Sequence, residues 1–448
     1  MASKPQIKTI KEFDKITCNP AFNKPDSPFC YVTKSQFSEL ENFIAEYADT
    51  NNEDANVLDL MSITKKKNVG DVITFKNYVG LIELKSGLQI EILPKISYLS
   101  SSSKEEEIRK TKTIFKNMLR AMKEFEGKSF NFANLEVDKM NIYDIFVNMY
   151  LQEVASLVKK GLKSNYIKIE ENLNIVKGKI LMKENLQRNI ANLSKIYCVF
   201  DEYQTNRVEN RLIKSTLLKF SNMNISYNNL KLSRQLLSFF ENVDPSINYD
   251  ADFKGIHLDR NMKDYDLLMR WSKVFLLNKS FTSFSGKTAS RVLLFQMDKL
   301  FEQFVAKFVK QNARAKMWYA SAQTTGLYLF DSPRKFSLRP DLLIKKSDGK
   351  LVIMDTKWKT LHDKPNDNYG ISQADMYQMY AYAKKYESQN YDVPPDVWVL
   401  YPLTDEMRKY VDQNNQISFS GYDGVTVRIY FIDLENYKNS IANLLQII

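Results

Sequence analysis

"RPDLLIKKSDGKLVIMDTKWK" (residues 339–359) decides how the chain is read. Two runs of strand-forming residues flank Ser347-Asp348-Gly349, and short apolar runs joined by an Asp-Gly turn signal a β-hairpin. Leu351, Val352, Ile353 and Met354 do not alternate with polar residues, which marks a strand buried on both faces. Yet Asp341 stands at the entrance, and Asp355 and Lys357 lie in the second strand. Ionisable groups in a buried strand need a compensating partner.

Loop length sets the register. A two-residue Asp348-Gly349 turn places Asp341 opposite Thr356, whereas a three-residue loop with Gly349 in the left-handed position places it opposite Asp355. Opposed residues share a face, and alternation then adds Lys357 to that face. Facing carboxylates repel. A divalent cation removes the repulsion, and Mg²⁺ takes oxygen ligands: one or two carboxylates, waters and substrate phosphate. A lysine beside it orients the attacking water or stabilises charge building on the phosphate. The constellation therefore points to phosphodiester hydrolysis without histidine. The plainer alternative, a surface hairpin with wet polar residues, sits badly with the apolar run 351–354.

Composition narrows the classes. With 448 residues, about two to four domains are expected. His257 and His362 are the only histidines, so a His-rich metal site, a His-Asn-His nuclease or His-based triads are hard to build. A net charge of +11 suits an acidic partner, nucleic acid above all, although Lys-rich chains can be basic without binding DNA. Cys18, Cys30 and Cys198 are widely separated, which fits a reducing cytoplasm and excludes a disulfide framework or a C-x-x-C zinc site. No uncharged apolar run reaches about 18 residues, so no membrane span is expected. The start lacks the apolar region of a secretory signal. Gly286-Lys287-Thr288 resembles the tail of a phosphate-binding loop, but Phe281 stands where that motif requires glycine. No NTP hydrolysis by this chain is expected.

The chain reads as an α/β multidomain protein. Residues 1–100 are β-rich, with a hairpin over 78–96 around Lys85-Ser86-Gly87; residues 101–285 are mostly helical; residues 286–448 alternate helices and strands around a mixed central sheet flanked by helices. Serines before Glu105, Glu106 and Glu107 suit a helix start. Helices are expected over 142–162, capped by Gly161, over 206–220, 293–311 and 373–387. A strand pair is expected over 166–182, and further strands near 325–331, 340–346, 351–358, 396–402 and 426–434. On the helix at 293–311, Met297, Leu300, Phe301, Phe304, Val305 and Phe308 form one stripe, with Glu302 at its edge.

The spacing of Pro340-Asp341 and Asp355-x-Lys357 resembles the PD-(D/E)xK nuclease superfamily. Gln378 and Tyr382, four apart on one helix face, resemble the Q-x-x-x-Y element of RecB-like nucleases, where such a helix borders the DNA; ordinary helix packing is the competing reading. Asp375 shares that face, but Ser372-x-x-Asp375 also reads as a capping box. The resemblance implies that Glu302 can serve the metal beside Asp341 and Asp355, against the alternative of a solvated helix glutamate. Arg339 and Lys359 flank the motif and are candidates for DNA phosphates, or simply solvated strand ends.

Over most of its length the chain is similar to the McrC family, nuclease subunits of McrBC-type restriction systems. The carrying segments are "NYVGLIELKSGLQIEILPKI" (77–96), "IFVNMYLQEVASLVKKGLKSNYIKIEENLNIVKGKI" (145–180), "NRVENRLIKSTLL" (206–218), "QMDKLFEQFV" (296–305), "RPDLLI", "MDTKWK" and "DMYQMYAYAKKY". The resemblance implies a cytoplasmic, Mg²⁺-dependent DNA endonuclease in antiviral defence, with Asp341, Asp355 and Lys357 as the catalytic trio, joined by Gln378 and Tyr382. It implies a McrB-like AAA+ GTPase hexamer as partner, docked on residues 1–100 and stimulated by this chain. It implies double-stranded DNA as substrate, with modified cytosine read by the partner. Two alternatives stay open: a non-catalytic activator of an AAA+ motor with a vestigial nuclease fold, and a subunit of a system that reads unmodified sequence.

Overall fold

The structure is a computed structural model describing residues 6–25, 27–49, 61–96, 103–119, 121, 141–256, 262–277, 289–387, 394–414 and 416–448. His257, Phe281 and the Gly286-Lys287-Thr288 stretch lie outside the described residues, as does the polar segment 97–102. Met1–Ser129 and Gly286–Ile448 make one compact unit and Phe130–Ser285 a second. No described helix is long and apolar enough to cross a membrane.

The first unit begins with β1 (Gln6–Lys11), β2 (Lys15–Thr17), β3 (Phe29–Tyr31), α1 (Lys34–Asp49), β4 (Met61–Lys66) and β5 (Gly70–Phe75). The strands β3-β2-β5-β4 form one sheet. The hairpin expected near 78–96 is β6 (Tyr78–Leu84) and β7 (Leu88–Leu93), paired antiparallel from Gly80↔Ile92 to Glu83↔Gln89. Its turn contains Gly87 at φ +82, and all of β7 is buried. β1 runs parallel to β7. The helix α2 (Lys104–Leu119) carries Glu105, Glu106 and Glu107 in its first turn and Lys116 in its last, the arrangement its dipole favours.

The second unit is built on α3 (Ile142–Lys160), whose Asn141 caps the Asp144 N–H and whose Gly161 ends it at φ 88. The expected strands near 166–182 are β8 (Asn165–Leu173) and β9 (Lys179–Ile180), but they do not pair with each other. After α4 (Met182–Asn189), β10 (Ile196–Gln204) enters between them and pairs antiparallel with both. Backbone partners nearer in sequence are thus displaced by a longer strand. Then come α5 (Val208–Ser221), α6 (Tyr227–Leu237), α7 (Tyr249–Lys254) and α8 (Lys263–Leu277). An aromatic core of Tyr150, Phe220, Trp271 and Phe275 joins α3, α5 and α8, and the buried Tyr150 hydroxyl meets Ser272 at 2.8 Å.

Back in the first unit, residues 293–296 are strand rather than the start of a helix. They end β11 (Ala289–Gln296), which pairs antiparallel with β6, so the sheet order is β1-β7-β6-β11. An apolar run that meets a sheet edge completes the backbone ladder there. The helix α9 (Met297–Ala315) follows and buries Met297, Leu300, Phe301, Phe304 and Val305. Next are β12 (Tyr319–Ala322), the separate ribbon β13 (Leu327–Asp331) and β14 (Arg334–Leu338), then β15 (Leu342–Lys345) and β16 (Leu351–Thr356). The chain closes with α10 (Gln373–Glu387), β17 (Asp396–Pro402), α11 (Asp405–Asn414), β18 (Ile417–Ser420), β19 (Thr426–Ile432) and α12 (Tyr437–Ile447). The six-stranded sheet β12-β15-β16-β17-β19-β18 is mixed: β16, β17 and β19 run parallel, and the others antiparallel to their neighbours. α10 covers one face, where Met379, Tyr382 and Ala383 pack with Ile353, Val399 and Ile429.

Candidate active site

The β15–β16 hairpin has the three-residue loop. Leu342 pairs with Met354 and Lys345 with Leu351, the Lys346 N–H donates to Lys350 O at 2.9 Å, and Gly349 sits at φ 85. A left-handed residue closes such a loop with little strain only when it has no Cβ. One step beyond the ladder, the same register sets Asp341 across from Asp355. Every residue of β16 is buried, so Asp355, 2% exposed, enters the site from a strand covered on both faces. β17 runs beside it in parallel, and the Lys357 N–H donates to Leu400 O at 2.9 Å. The site thus lies at the carboxyl ends of parallel strands, where open α/β sheets place ligands.

The side chains converge. Lys357 Nζ lies 2.5 Å from the buried Asp355 Oδ2, a close ion pair. Lys357 Nζ also donates to Gln378 Oε1 at 3.1 Å, and Gln378 Nε2 donates to the Tyr382 hydroxyl oxygen at 2.8 Å. Asp341 Oδ2 accepts from the Thr356 N–H at 2.7 Å and hydroxyl at 2.6 Å. Burial first, and the charge of Asp341 second, push the Asp355 carboxyl up to about 7 against the pull of Lys357. Asp341 is also raised by burial, against its two Thr356 bonds. Burial disfavours the Lys357 ammonium, but Asp355, Asp375 and Asp341 together outweigh it and raise its pKa.

Other candidates fall nearby or apart. Lys359 Nζ is paired with Asp375 Oδ2 at 2.6 Å. Asp375 therefore spends its carboxylate on the strand end, where the capping-box pattern had suggested the helix N-terminus. Arg339 is exposed. Glu302 accepts from Gln323 Nε2 at 2.8 Å, and the Gln323 N–H donates to Asp341 O at 3.0 Å. Among the described residues no three His, Cys, Asp or Glu side chains gather as a metal-binding group.

Sequence reasoning gave no site role to Thr356, Asp298 or Tyr401, and left Asp375 between the site face and a capping box. Thr356 fixes Asp341. Asp298, in the first turn of α9, adds negative charge felt by Asp341. Asp375 is felt by Asp355 and Lys357. The buried Tyr401 hydroxyl faces the same carboxylates, and burial, then Asp375 and Asp355, raise its pKa. Thr356, between the two motif residues, and Asp375, on the helix face of Gln378 and Tyr382, had local signals.

Chemically, the site offers two neighbouring carboxylates, Asp355 buried and Asp341 partly buried, and a lysine beside them. An all-oxygen donor pair fits a hard divalent cation that keeps its waters, as Mg²⁺ does with one or two carboxylates.

Known proteins are similar. A family model described as "McrBC 5-methylcytosine restriction system component" matches residues 73–402. The Type IV methyl-directed restriction enzyme EcoKMcrBC of Escherichia coli (strain K12) is 24% identical over 297 residues, 62% of this chain and 82% of that protein. A chain from a solved tetradecameric assembly of Thermococcus gammatolerans McrB AAA+ hexamers with bound McrC superposes with a TM-score of 0.66. It is 17% identical and covers 98% of this chain and 100% of its own length, a likeness of fold. The family match runs from β5 to the end of β17, most of the chain, and this protein therefore belongs to the family of McrBC 5-methylcytosine restriction system components.

Proposed function

We propose that this chain is the Mg²⁺-dependent DNA endonuclease subunit of a McrBC-type restriction complex. In this reading residues 286–448 carry a PD-(D/E)xK nuclease fold, and residues 1–100 dock a McrB-like AAA+ GTPase hexamer that recognises and translocates DNA. This chain stimulates that GTPase. Family membership supports the setting, and so does a relative named as methyl-directed. The solved assembly of similar fold joins McrC to McrB AAA+ hexamers, which supports the partner. The observation that carries the chemistry is the pairing of Asp341 with Asp355 at one strand end, with Lys357 Nζ 2.5 Å from the second carboxylate.

Asp341 and Asp355 would hold the ion, which when bound supplies Lewis-acid stabilisation of charge on the scissile phosphate. Glu302, bonded to Gln323, stays outside that pair. Lys357 places a fixed positive charge where negative charge develops and orients the attacking water. Gln378 holds the ammonium, and Tyr382 holds Gln378. Arg339 meets DNA phosphates directly; Lys359 does so by exchanging its Asp375 partner for phosphate.

The test is Asp355→Ala and Lys357→Ala in the complex with its AAA+ partner. Cleavage of a duplex carrying 5-methylcytosine is abolished in both, while partner binding and GTPase stimulation persist. Wild-type cleavage by either variant sinks the assignment. A wild-type complex that stimulates GTPase but never cuts favours the non-catalytic activator.

A further inference from the structure

Two parallel strands of the N-terminal sheet end beside the segment that follows β16 and carries Lys357. β1 and β7 run in register from Gln6↔Leu88 to Lys11↔Leu93, so the residues just past their ends emerge side by side. These are Glu12, whose N–H donates to Leu93 O at 2.9 Å, and Lys95. Both reach Trp358, the residue after Lys357. Trp358 Nε1 donates to Glu12 Oε2 at 3.0 Å, and Lys95 Nζ donates to Trp358 O at 2.8 Å. The Lys95 N–H donates to the same Glu12 oxygen at 3.0 Å and closes the ring of contacts. The indole, 4% exposed, also packs against Phe301 of α9 with centroids 5.4 Å apart.

This cluster is an expensive way to fill space. Glu12 is 3% exposed, and its Oε1 finds no hydrogen-bond partner. Burial pushes its carboxyl up and the Lys95 ammonium down. Apolar residues of similar volume commonly replace buried ionic groups at no loss of stability. A polar cluster left partly satisfied is a cost, and its return is a fixed geometry. Here the geometry fixed is that of Trp358, gripped at its indole N–H and its carbonyl. The peptide leading into Lys357 is tied from the other side through Leu400.

We propose that Glu12 and Lys95 are positioning residues for Lys357. By holding Trp358 at both polar groups they fix the strand end from which the lysine reaches Asp355 and Gln378. The inference rests on the nuclease reading of Lys357, and it makes the N-terminal sheet part of the active-site scaffold.

The experiment uses the full chain in complex with its AAA+ partner, a duplex carrying 5-methylcytosine, and Trp358→Phe, Glu12→Ala and Glu12→Gln. Trp358→Phe keeps the ring and removes only the donor. Misplacing a catalytic group is costly, so single-turnover cleavage at saturating DNA is expected to fall about tenfold in Trp358→Phe and Glu12→Ala. DNA Kd and melting temperature stay near wild type. Glu12→Gln retains an acceptor oxygen and recovers most of the rate. Wild-type rates in Trp358→Phe and Glu12→Ala overturn the inference. So does a loss of rate matched by losses of DNA binding and melting temperature, because that is a merely structural role. A wild-type complex that does not cleave overturns the nuclease reading itself.

Discussion

Lys357 Nζ donates to Gln378 Oε1 at 3.1 Å, which ties the segment just past β16 to the helix α10. The amide cannot turn freely, because its nitrogen donates to Tyr382 at 2.8 Å. Strand, amide and phenol therefore form a line of support in which each group orients the one before it. Such support is what holds a functional side chain within the narrow tolerance that chemistry demands.

A graded loss is the expected signature of that line. Gln378→Leu removes the acceptor from Lys357 and is expected to lower the cleavage rate roughly tenfold to a hundredfold. Tyr382→Phe removes only the support of the support, so its effect is a few-fold. Single-turnover cleavage on one preparation measures both. Equal losses, or a larger loss for Tyr382→Phe, contradict the order of dependence.

The central geometry was legible because it is local. Loop length and the left-handed Gly349 fix the β15–β16 register, and three residues of known alternation then share a face. The long-range parts were not legible. Nothing in 289–296 announces a partner as distant as β6, so its apolar run merged with the helix that follows. Tyr401 comes to Asp375 and Asp355 only because β17 lies beside β16. Asp375 matched a local capping pattern, while its real partner, Lys359, lies on another element. Glu302 and Asp298 are one helical turn apart, so periodicity alone could not say which one Asp341 feels. Glu12, Lys95 and Trp358 meet across more than half the sequence, and no spacing rule joins them.

Asp355 gives the metal-free protein a pH dependence. Its folded pKa of about 7 exceeds that of an unfolded aspartate, which is about 3.9. Between those values the native state holds a proton that the unfolded state has lost, so stability falls as pH rises through this window. Asp355→Asn removes that penalty. Its melting temperature is expected to exceed wild type at pH 8, with the gap closing as pH falls toward about 4. Mg²⁺ is expected to stabilise wild type more at pH 8 than at pH 5, because protons compete for the same oxygens. Thermal melts with and without Mg²⁺ decide both points. If Asp355→Asn melts below wild type at pH 8, the lost pairing with Lys357 outweighs the relief of burial.

Gly80 tests whether the N-terminal hairpin and β11 belong to one body. It lies opposite Leu294 in the β6–β11 ladder at φ +148, and a Cβ built there would stand 1.8 Å from Leu293 O. That atom is backbone and cannot swing aside, so Gly80→Ala must part the two strands. Overpacking a tight interior costs roughly 1–3 kcal/mol, and the unfavourable φ adds about 1–2 kcal/mol. Gly87→Ala is the matched control, since its φ is +82 but nothing lies within 4 Å of the added Cβ. Only the backbone term then applies, and the loss is about 1–2 kcal/mol. Melting temperature is therefore expected to fall further for Gly80→Ala than for Gly87→Ala. Cleavage is expected to fall with it, because β11 leads directly into α9 and Asp298. Equal melting shifts in the two variants would place the Gly80–Leu293 approach outside the forces that hold this unit together.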